Sequence, residues 1–547
     1  MEMTFQRSSH RRKLWQQSMQ KNEGGKPLRK GENNMKIKKI MAMLLAATMI
    51  MGSTITTFAE QGETPKDTDK AKVEVSNVDK GAIVKAYQIV DGVYNESGFV
   101  KYVAVYGVDI EDPLKPTSDE VAEIAKKINN GNLSSLGPVD MKDLDENGTY
   151  DAELHPGYWV VLVRGTNGSA KIYNPMLVSV AYTVSGSDNI MEPGNVDANS
   201  NWSLSTKDAW AKSSEVTLTK EAKDSADFGE SVKYKINTTI PGYGPEYETP
   251  VFEIKDQLSS GDLKLTDGQI TVKANDEVVA PEKYKITGNT ANSTEFDVKF
   301  NSDWIKENIN AQIEISYNAT VTAHKVNTKS HDNTATLTYS NNPATTDTKT
   351  DTEKVYSFDI GGAATGTNGL ITKVGEDQDA DALAGAKFTL YTDEGCTNQY
   401  INEVHVANEA TATSGDDGNI EITGLEAGTA DAPATYYLKE TYAPNPYTLN
   451  DTVFKIEISA NIENEELKSW NINITNTATN EKVVNNFTIN NEGGVTIDGE
   501  GIEIQNTKLS SLPSTGGIGT TIFTIGGCAI MVAAAGLFFA SRRKANK

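Results

Sequence analysis

Cysteine is nearly missing from this chain: two in 547 residues, Cys396 and Cys528. No framework of internal disulfides can be built from two widely spaced thiols. Histidine is scarce as well, with five scattered copies, no Cys-His pairing and no metal-ligand spacing. Thiol–histidine catalysis and zinc binding are therefore set aside, and no cofactor, metal or turnover enzyme is expected. Asp143, Asp145 and Asn147 imitate the start of a calcium loop, but the twelfth position is Leu154 rather than Glu, so a solvated turn is expected. Basic side chains are in deficit, 51 Lys and Arg against 75 Asp and Glu, for a net charge of −24. Two long apolar runs lie close to the two ends, at 40–51 and 518–540.

The C-terminal run is 23 residues without a charge. As a helix it spans roughly 35 Å, enough to cross a bilayer core of about 30 Å. Arg542, Arg543 and Lys544 follow at once, and such a basic cluster is held on the cytoplasmic side. Immediately before the run stand Leu512, Pro513, Ser514, Thr515 and Gly516. Leu-Pro-x-Thr-Gly, apolar span and basic tail, in that order, resemble the cell-wall sorting signal of Gram-positive surface proteins. The resemblance implies a sortase that cuts between Thr515 and Gly516 and passes the Thr515 carbonyl to an amine. It also implies covalent attachment to peptidoglycan.

Near the other end, Met35 to Lys39 form a basic n-region, 40–51 an apolar h-region, and Thr57-Phe58-Ala59 a small-residue cleavage site. The mature chain is expected to begin at Glu60, with 35–59 as signal peptide. Residues 1–34 fit no export element and read as a mis-annotated leader, with Met35 as the true start. Residues 1–59 carry eleven basic and three acidic side chains and the segment after Thr515 four basic ones, so the exported part has a charge of −36. Such a surface repels phosphate backbones, and nucleic acid is not an expected partner. About 455 residues between the two signals suggest three domains. With Cys528 in the segment that sorting removes, one thiol remains outside the cell, and something other than sulfur must staple the domains.

The expected fold class is all-β, in tandem immunoglobulin-like sandwiches, with one short helix in the first domain and a C-terminal transmembrane helix. Residues 60–205 read as strands, Val73 and Val75 alternating with polar residues. The helix is signalled by Thr117 and Glu120 as a capping box, an apolar face of Val121, Ile124, Ala125 and Ile128, and Gly131 beyond its end. A linker at 206–213 contains Ala209-Trp210-Ala211-Lys212-Ser213-Ser214. This resembles the pilin motif of Gram-positive backbone pilins in a variant that ends Ala-Lys rather than the commoner Pro-Lys. The resemblance implies that Lys212 receives the Thr515 carbonyl of the next subunit, with Lys207 as the alternative acceptor.

Residues 214–350 read as a second sandwich. Lys220 shares strand parity with Val216 and Leu218, Asp256 with Phe252 and Ile254, and Asn333 and Asn341 with Ala335, Leu337 and Tyr339. Charged groups on core-facing positions are expensive unless they have a purpose. After a linker at 351–367, residues 368–511 carry Ile371-Thr372-Lys373, Tyr437-Leu438-Lys439-Glu440-Thr441 with Ala443-Pro444, and Ile504-Gln505-Asn506. These segments resemble the collagen-adhesin B-type domain and its E-box, and the preceding domain resembles the A-type relative. The resemblance implies intramolecular isopeptide bonds. In the third domain these are Lys373 to Asn506 with Glu440 beside them. In the second they are Lys220 to Asn341 with Asp256, Asn342 and Asn333 remaining as other ends.

The residue types suit that chemistry. Burial disfavours both charged forms, so the lysine becomes a nucleophilic amine and the acid keeps a proton to shuttle. Each bond forms once, with loss of ammonia, and closing a loop of a hundred or so residues stabilises by roughly 5 kcal/mol. The expected function is the backbone subunit of a wall-anchored pilus (fimbria) that supports adhesion. Its partners are sortases, identical subunits, minor pilins, peptidoglycan and a possible host surface ligand. A single-copy wall-anchored adhesin and a minor pilin at base or tip are the alternatives.

Overall fold

The computed structural model describes residues 53–58, residues 63–508 apart from short internal segments of which 401–410 is the longest, and residues 518–545. The leader, most of the signal peptide and Leu512, Pro513, Thr515 and Gly516 lie outside the described residues. Among the described residues the part before the C-terminal helix is mostly β-strand, arranged around three successive hydrophobic cores, with the expected helix at Ser118–Asn129 and a second, unexpected one at Ser302–Glu307 in the second domain.

The first core is covered by an eight-stranded sheet and a four-stranded sheet. Val73 and Val75 alternate inward on the strand Ala71–Ser76 and are fully buried. The helix α1, Ser118–Asn129, forms where its capping signals place it: the Thr117 hydroxyl accepts from the Glu120 amide and the Glu120 carboxylate accepts from the Thr117 amide. Its buried side chains are Val121, Ala122, Ile124 and Ala125. Residues Ser53–Phe58, at the end of the expected signal peptide, pair antiparallel with Trp202–Lys207.

The second core lies between a six-stranded and a five-stranded sheet. Its opening strand, Leu218–Glu221, pairs with Ser231–Thr239, which pairs in turn with Gln312–Val321. On the facing sheet Phe252–Leu258 pairs with His331–Asn342, which pairs with Thr345–Val355. That last strand corrects the expected linker at 351–367. Residues up to Val355 complete the second sandwich, and Tyr356, Phe358 and Ile360 already belong to the third core.

In the third domain a seven-stranded sheet faces a two-stranded parallel pair, Ile371–Gly375 with Ile502–Asn506. The strand that carries Lys373 and the last strand of the domain therefore lie side by side, Lys373 opposite Ile504 and Gly375 opposite Asn506. The strand Ala434–Tyr442 carries Glu440 inward. The domains are joined by backbone as well as by sequence. Ser213–Glu215 pairs with Lys171–Tyr173 across the first junction, and the Ala226 and Phe228 amides donate to Tyr356 and Gly424 carbonyls across the second. At the C-terminus Ile518–Ala545 is one helix, apolar and long enough to cross a membrane, with mean hydropathy 2.0 over Phe523–Arg542.

Candidate functional site

Alternation on Ile371–Gly375 turns Lys373 into the third core, where it is fully buried. Its Nζ donates to Asn506 Oδ1 at 2.7 Å and to the Ile504 carbonyl at 2.8 Å. Asn506 Nδ2 donates to Glu440 Oε1 at 2.8 Å, and Glu440 lies 3.8 Å from the lysine nitrogen. The other Glu440 oxygen accepts from the Asn450 amide at 2.7 Å, which fixes the carboxyl orientation. Burial pulls the Lys373 pKa down to about 8, against the nearby Glu440 charge, which raises it. About a tenth of the side chain is then free amine at pH 7, far more than for an ordinary exposed lysine. The carboxyl sits on the amide nitrogen that would leave as ammonia, and the amine sits on the carboxamide it would attack. All three residues named from sequence converge here.

The second cluster is built across the two sheets of the second sandwich. Lys220 and Tyr317 come from one sheet, Asp256 and Asn333 from the other, and all four are buried. Lys220 Nζ is in direct contact with Asp256 Oδ2 and donates to the Tyr317 hydroxyl at 2.7 Å. That hydroxyl donates to Asp256 Oδ1 at 2.8 Å and accepts from Asn333 Nδ2 at 2.8 Å. Burial lowers the Lys220 pKa and raises that of Asp256, so the pair is driven toward its neutral forms. Lys220 also lies 5.4 Å from the Tyr234 ring centroid and 5.3 Å from that of Tyr317.

Asn341 is not part of this cluster, which corrects the expected Lys220 partner. It stands at the far end of the closing strand, half-buried, with its Oδ1 accepting from Thr345. Asn342 is engaged in the following turn, accepting from the Ala344 and Thr345 amides. The alternative end, Asn333, is the carboxamide that reaches Lys220, through Tyr317. Parity alone could not separate Asn333 from Asn341, because both share the parity of Ala335, Leu337 and Tyr339; a bulge between Ser340 and Asn342 takes Asn341 off the core face. Tyr317 was not anticipated, although its parity with Ile313 and Ile315 on an alternating strand marks it as a core-facing hydroxyl.

The pilin-like stretch is not a loose linker. Ala209–Trp210 pairs parallel with Val75–Ser76, Ala211 is fully buried and its amide donates to Ser76. Asn77 Nδ2 donates to the Ala211 carbonyl at 2.7 Å, and the Asn174 amide donates to the Lys212 carbonyl at 3.1 Å. The Lys212 backbone is thus clamped at the junction of the first and second domains while its side chain is half-buried. Lys207 is exposed at the rim of a cavity of about 210 Å³ lined by Leu114, Pro116, Tyr158 and Leu177. Cys396 occupies a tight turn with φ 51°, half-buried, and burial pushes its thiol pKa up. Among the described residues one carboxylate group, Asp227, Glu230 and Glu426, is close enough to hold an ion, and Lys223 already bridges Glu230 and Glu426.

Three family matches follow the same order along the chain. Residues 68–213 match the T6 antigen Ig-like domain, 367–473 the prealbumin-like fold domain, and 504–547 the LPXTG cell wall anchor motif. The chain is 27% identical to the trypsin-resistant surface T6 protein of Streptococcus pyogenes serotype M6, over 87% of this chain and 96% of that one. The structure is similar to that of the T6 backbone pilin of serotype M6 Streptococcus pyogenes, with TM-score 0.57 at 20% identity, covering 82% of this chain and all of that one. The major pilin SpaD of Corynebacterium diphtheriae aligns at TM-score 0.48 and 17% identity, over 82% of this chain and 99% of that one. Ig-like domain, prealbumin-like domain and LPXTG anchor in this order mark a surface chain anchored at the cell wall, similar along most of its length to Gram-positive backbone pilins.

Proposed function

We propose that the chain is a pilus backbone subunit whose strength comes from amide cross-links in place of disulfides. Within the third domain Lys373 attacks the Asn506 carboxamide and Glu440 conducts the proton to the departing ammonia. Within the second, Lys220 and Asn333 join with Asp256 as the acid. Folding brings the groups within hydrogen-bond reach, so proximity supplies much of the rate. Each domain reacts once, which makes this maturation rather than enzymatic turnover.

Between subunits, a sortase acylated by Thr515 would hand the chain to Lys212 of the next copy, and a wall-anchoring sortase would end the polymer on peptidoglycan. The reading rests chiefly on the buried Lys373–Glu440–Asn506 contact in a chain with an LPXTG tail. It is supported by the clamped backbone around Lys212, which gives an acceptor amine a fixed place at a domain junction.

Denaturing gels of wall extracts test the polymer. A ladder of covalent multimers is expected, and Lys212→Arg reduces it to monomer. A ladder unchanged in that variant moves the acceptor to Lys207, and no ladder in the wild type leaves a single-copy adhesin or a minor pilin.

A further inference from the structure

We infer that Glu353 is a second acid of the Lys220 cluster, placed to give a proton to the Asn333 carbonyl oxygen while Asp256 serves the nitrogen. This rests on the proposed Lys220–Asn333 bond and names the part of that site still unaccounted for. The Tyr317 hydroxyl has one proton, and it goes to Asp256. The edge of Asn333 facing that hydroxyl must therefore be its NH2, which points Oδ1 the other way. Asn333 Oδ1 is fully buried and has no hydrogen-bond partner. An orphaned carbonyl oxygen in a dry core is costly, and it is the atom on which negative charge develops when an amine attacks.

Glu353 is the residue directly opposite Asn333 in the antiparallel pair His331–Asn342 with Thr345–Val355. Side chains of directly opposite residues share a face, with Cβ atoms about 5 Å apart. Glu353 is 6% exposed, so it lies on the core side with Asn333 rather than in solvent. The charged groups that face it are Glu465 from the third domain, Asp224 beyond the opening strand, Asp351 on its own strand and Lys220. Burial and the three acids together push its pKa up to about 8, and Lys220 only partly offsets them. A carboxyl serving simply as counter-ion to Lys220 would be held ionised. Burial and the three acids instead favour the protonated form of Glu353, which has a proton to give as the Asn333 oxygen takes on charge.

The step balances without any outside reagent. The Lys220 amine attacks Asn333 Cγ, and the carbonyl oxygen takes the Glu353 proton as its charge develops. Asp256 moves a proton from the attacking nitrogen to Nδ2, which leaves as ammonia. The re-forming carbonyl returns its proton to Glu353. One carbon–nitrogen bond replaces another and both acids end as they began.

The test uses the full chain made by cell-free synthesis in mild detergent, held from about pH 6 to about pH 9, quenched and digested. Tandem spectrometry follows the Lys220–Asn333 cross-linked peptide against Lys373–Asn506 from the same molecule as the internal standard. Glu353→Ala is expected to slow the first about a hundredfold and leave the second unchanged. Glu353→Gln keeps a neutral donor of the same shape. It is expected to form the bond and to lose the decline that the wild type shows above about pH 8. Wild-type rates in Glu353→Ala, or an unchanged alkaline decline in Glu353→Gln, overturn the assignment. If Glu353→Ala fails to fold, the Glu353→Gln profile alone decides. A wild type that forms only the Lys373–Asn506 peptide overturns instead the underlying bond, and Glu353 with it.

Discussion

A lysine and a carboxylate buried together are ordinarily a liability, and here the geometry gives each a task. Glu440 reaches the nitrogen of Asn506 and Lys373 the oxygen. Glu440→Ala is expected to leave the third domain unbonded. Its intact mass then exceeds that of the correspondingly substituted bonded chain by one ammonia. With about 5 kcal/mol of cross-link stabilisation absent, the melting temperature of that domain falls by about 10–20 °C in calorimetry. The unbonded lysine also makes stability depend on pH. The folded Lys373 pKa of about 8 lies below the ordinary lysine value, so the unfolded chain holds the proton more tightly between them. In Asn506→Ala, stability should therefore rise as pH rises through about 8, by up to about 3 kcal/mol near pH 10, in urea titrations. A flat or falling profile would contradict a buried free amine.

At the level of elements, α1 depends on its first turn. Thr117→Ala removes both the hydroxyl acceptor and the hydroxyl's bond to Glu120, and is expected to cost about 1 kcal/mol in thermal melts. The strand Thr345–Val355 teaches the opposite lesson about legibility. Threonine and charge alternate along it, so its last five residues, 351–355, read as linker, yet it pairs with His331–Asn342 along its whole length apart from a bulge between Ser340 and Asn342. It is an edge strand, bonded on one side, and solvent exposure over its first half removes the apolar pattern that would announce it. Glu353, at its buried end, was hidden for the same reason. The third domain was easier to read because Lys373, Glu440 and Asn506 each sit in a distinct motif.

Across the whole molecule, under the proposed linkage, tension that enters at Lys212 and leaves at Thr515 would cross two sandwiches. In the third domain the proposed bond joins strands that already lie side by side, so load passes by a covalent shortcut. Lys212→Arg is expected to abolish multimers in wall extracts while the monomer keeps its two-ammonia mass deficit, because the two kinds of bond use different atoms. The first junction adds a pH response. Glu246, 2% exposed beside a cavity of about 350 Å³ between the first two domains, has both carboxyl oxygens buried without hydrogen-bond partners. Burial pushes its pKa up to about 7, so the folded state holds the proton more tightly than the unfolded chain. That stability is present below about pH 4 and lost as pH rises through 7. Melts at pH 5 and pH 8 should show Glu246→Gln more stable than wild type at the higher pH, by about 3 kcal/mol.

Much was decided by the order of residues alone. Anchor span, core-facing lysines and the shortage of thiols are local or compositional facts, and strand parity needs only neighbouring side chains. The capping box of α1 is likewise complete within four residues. What required the folded molecule was register between segments far apart in the chain. Asn333 and Asn341 have the same parity, and only the packing of one sheet on the other shows which of them stands level with Lys220. Tyr317 and Glu353 enter the cluster by the same route, since alternation says which face a side chain takes and not what it meets there.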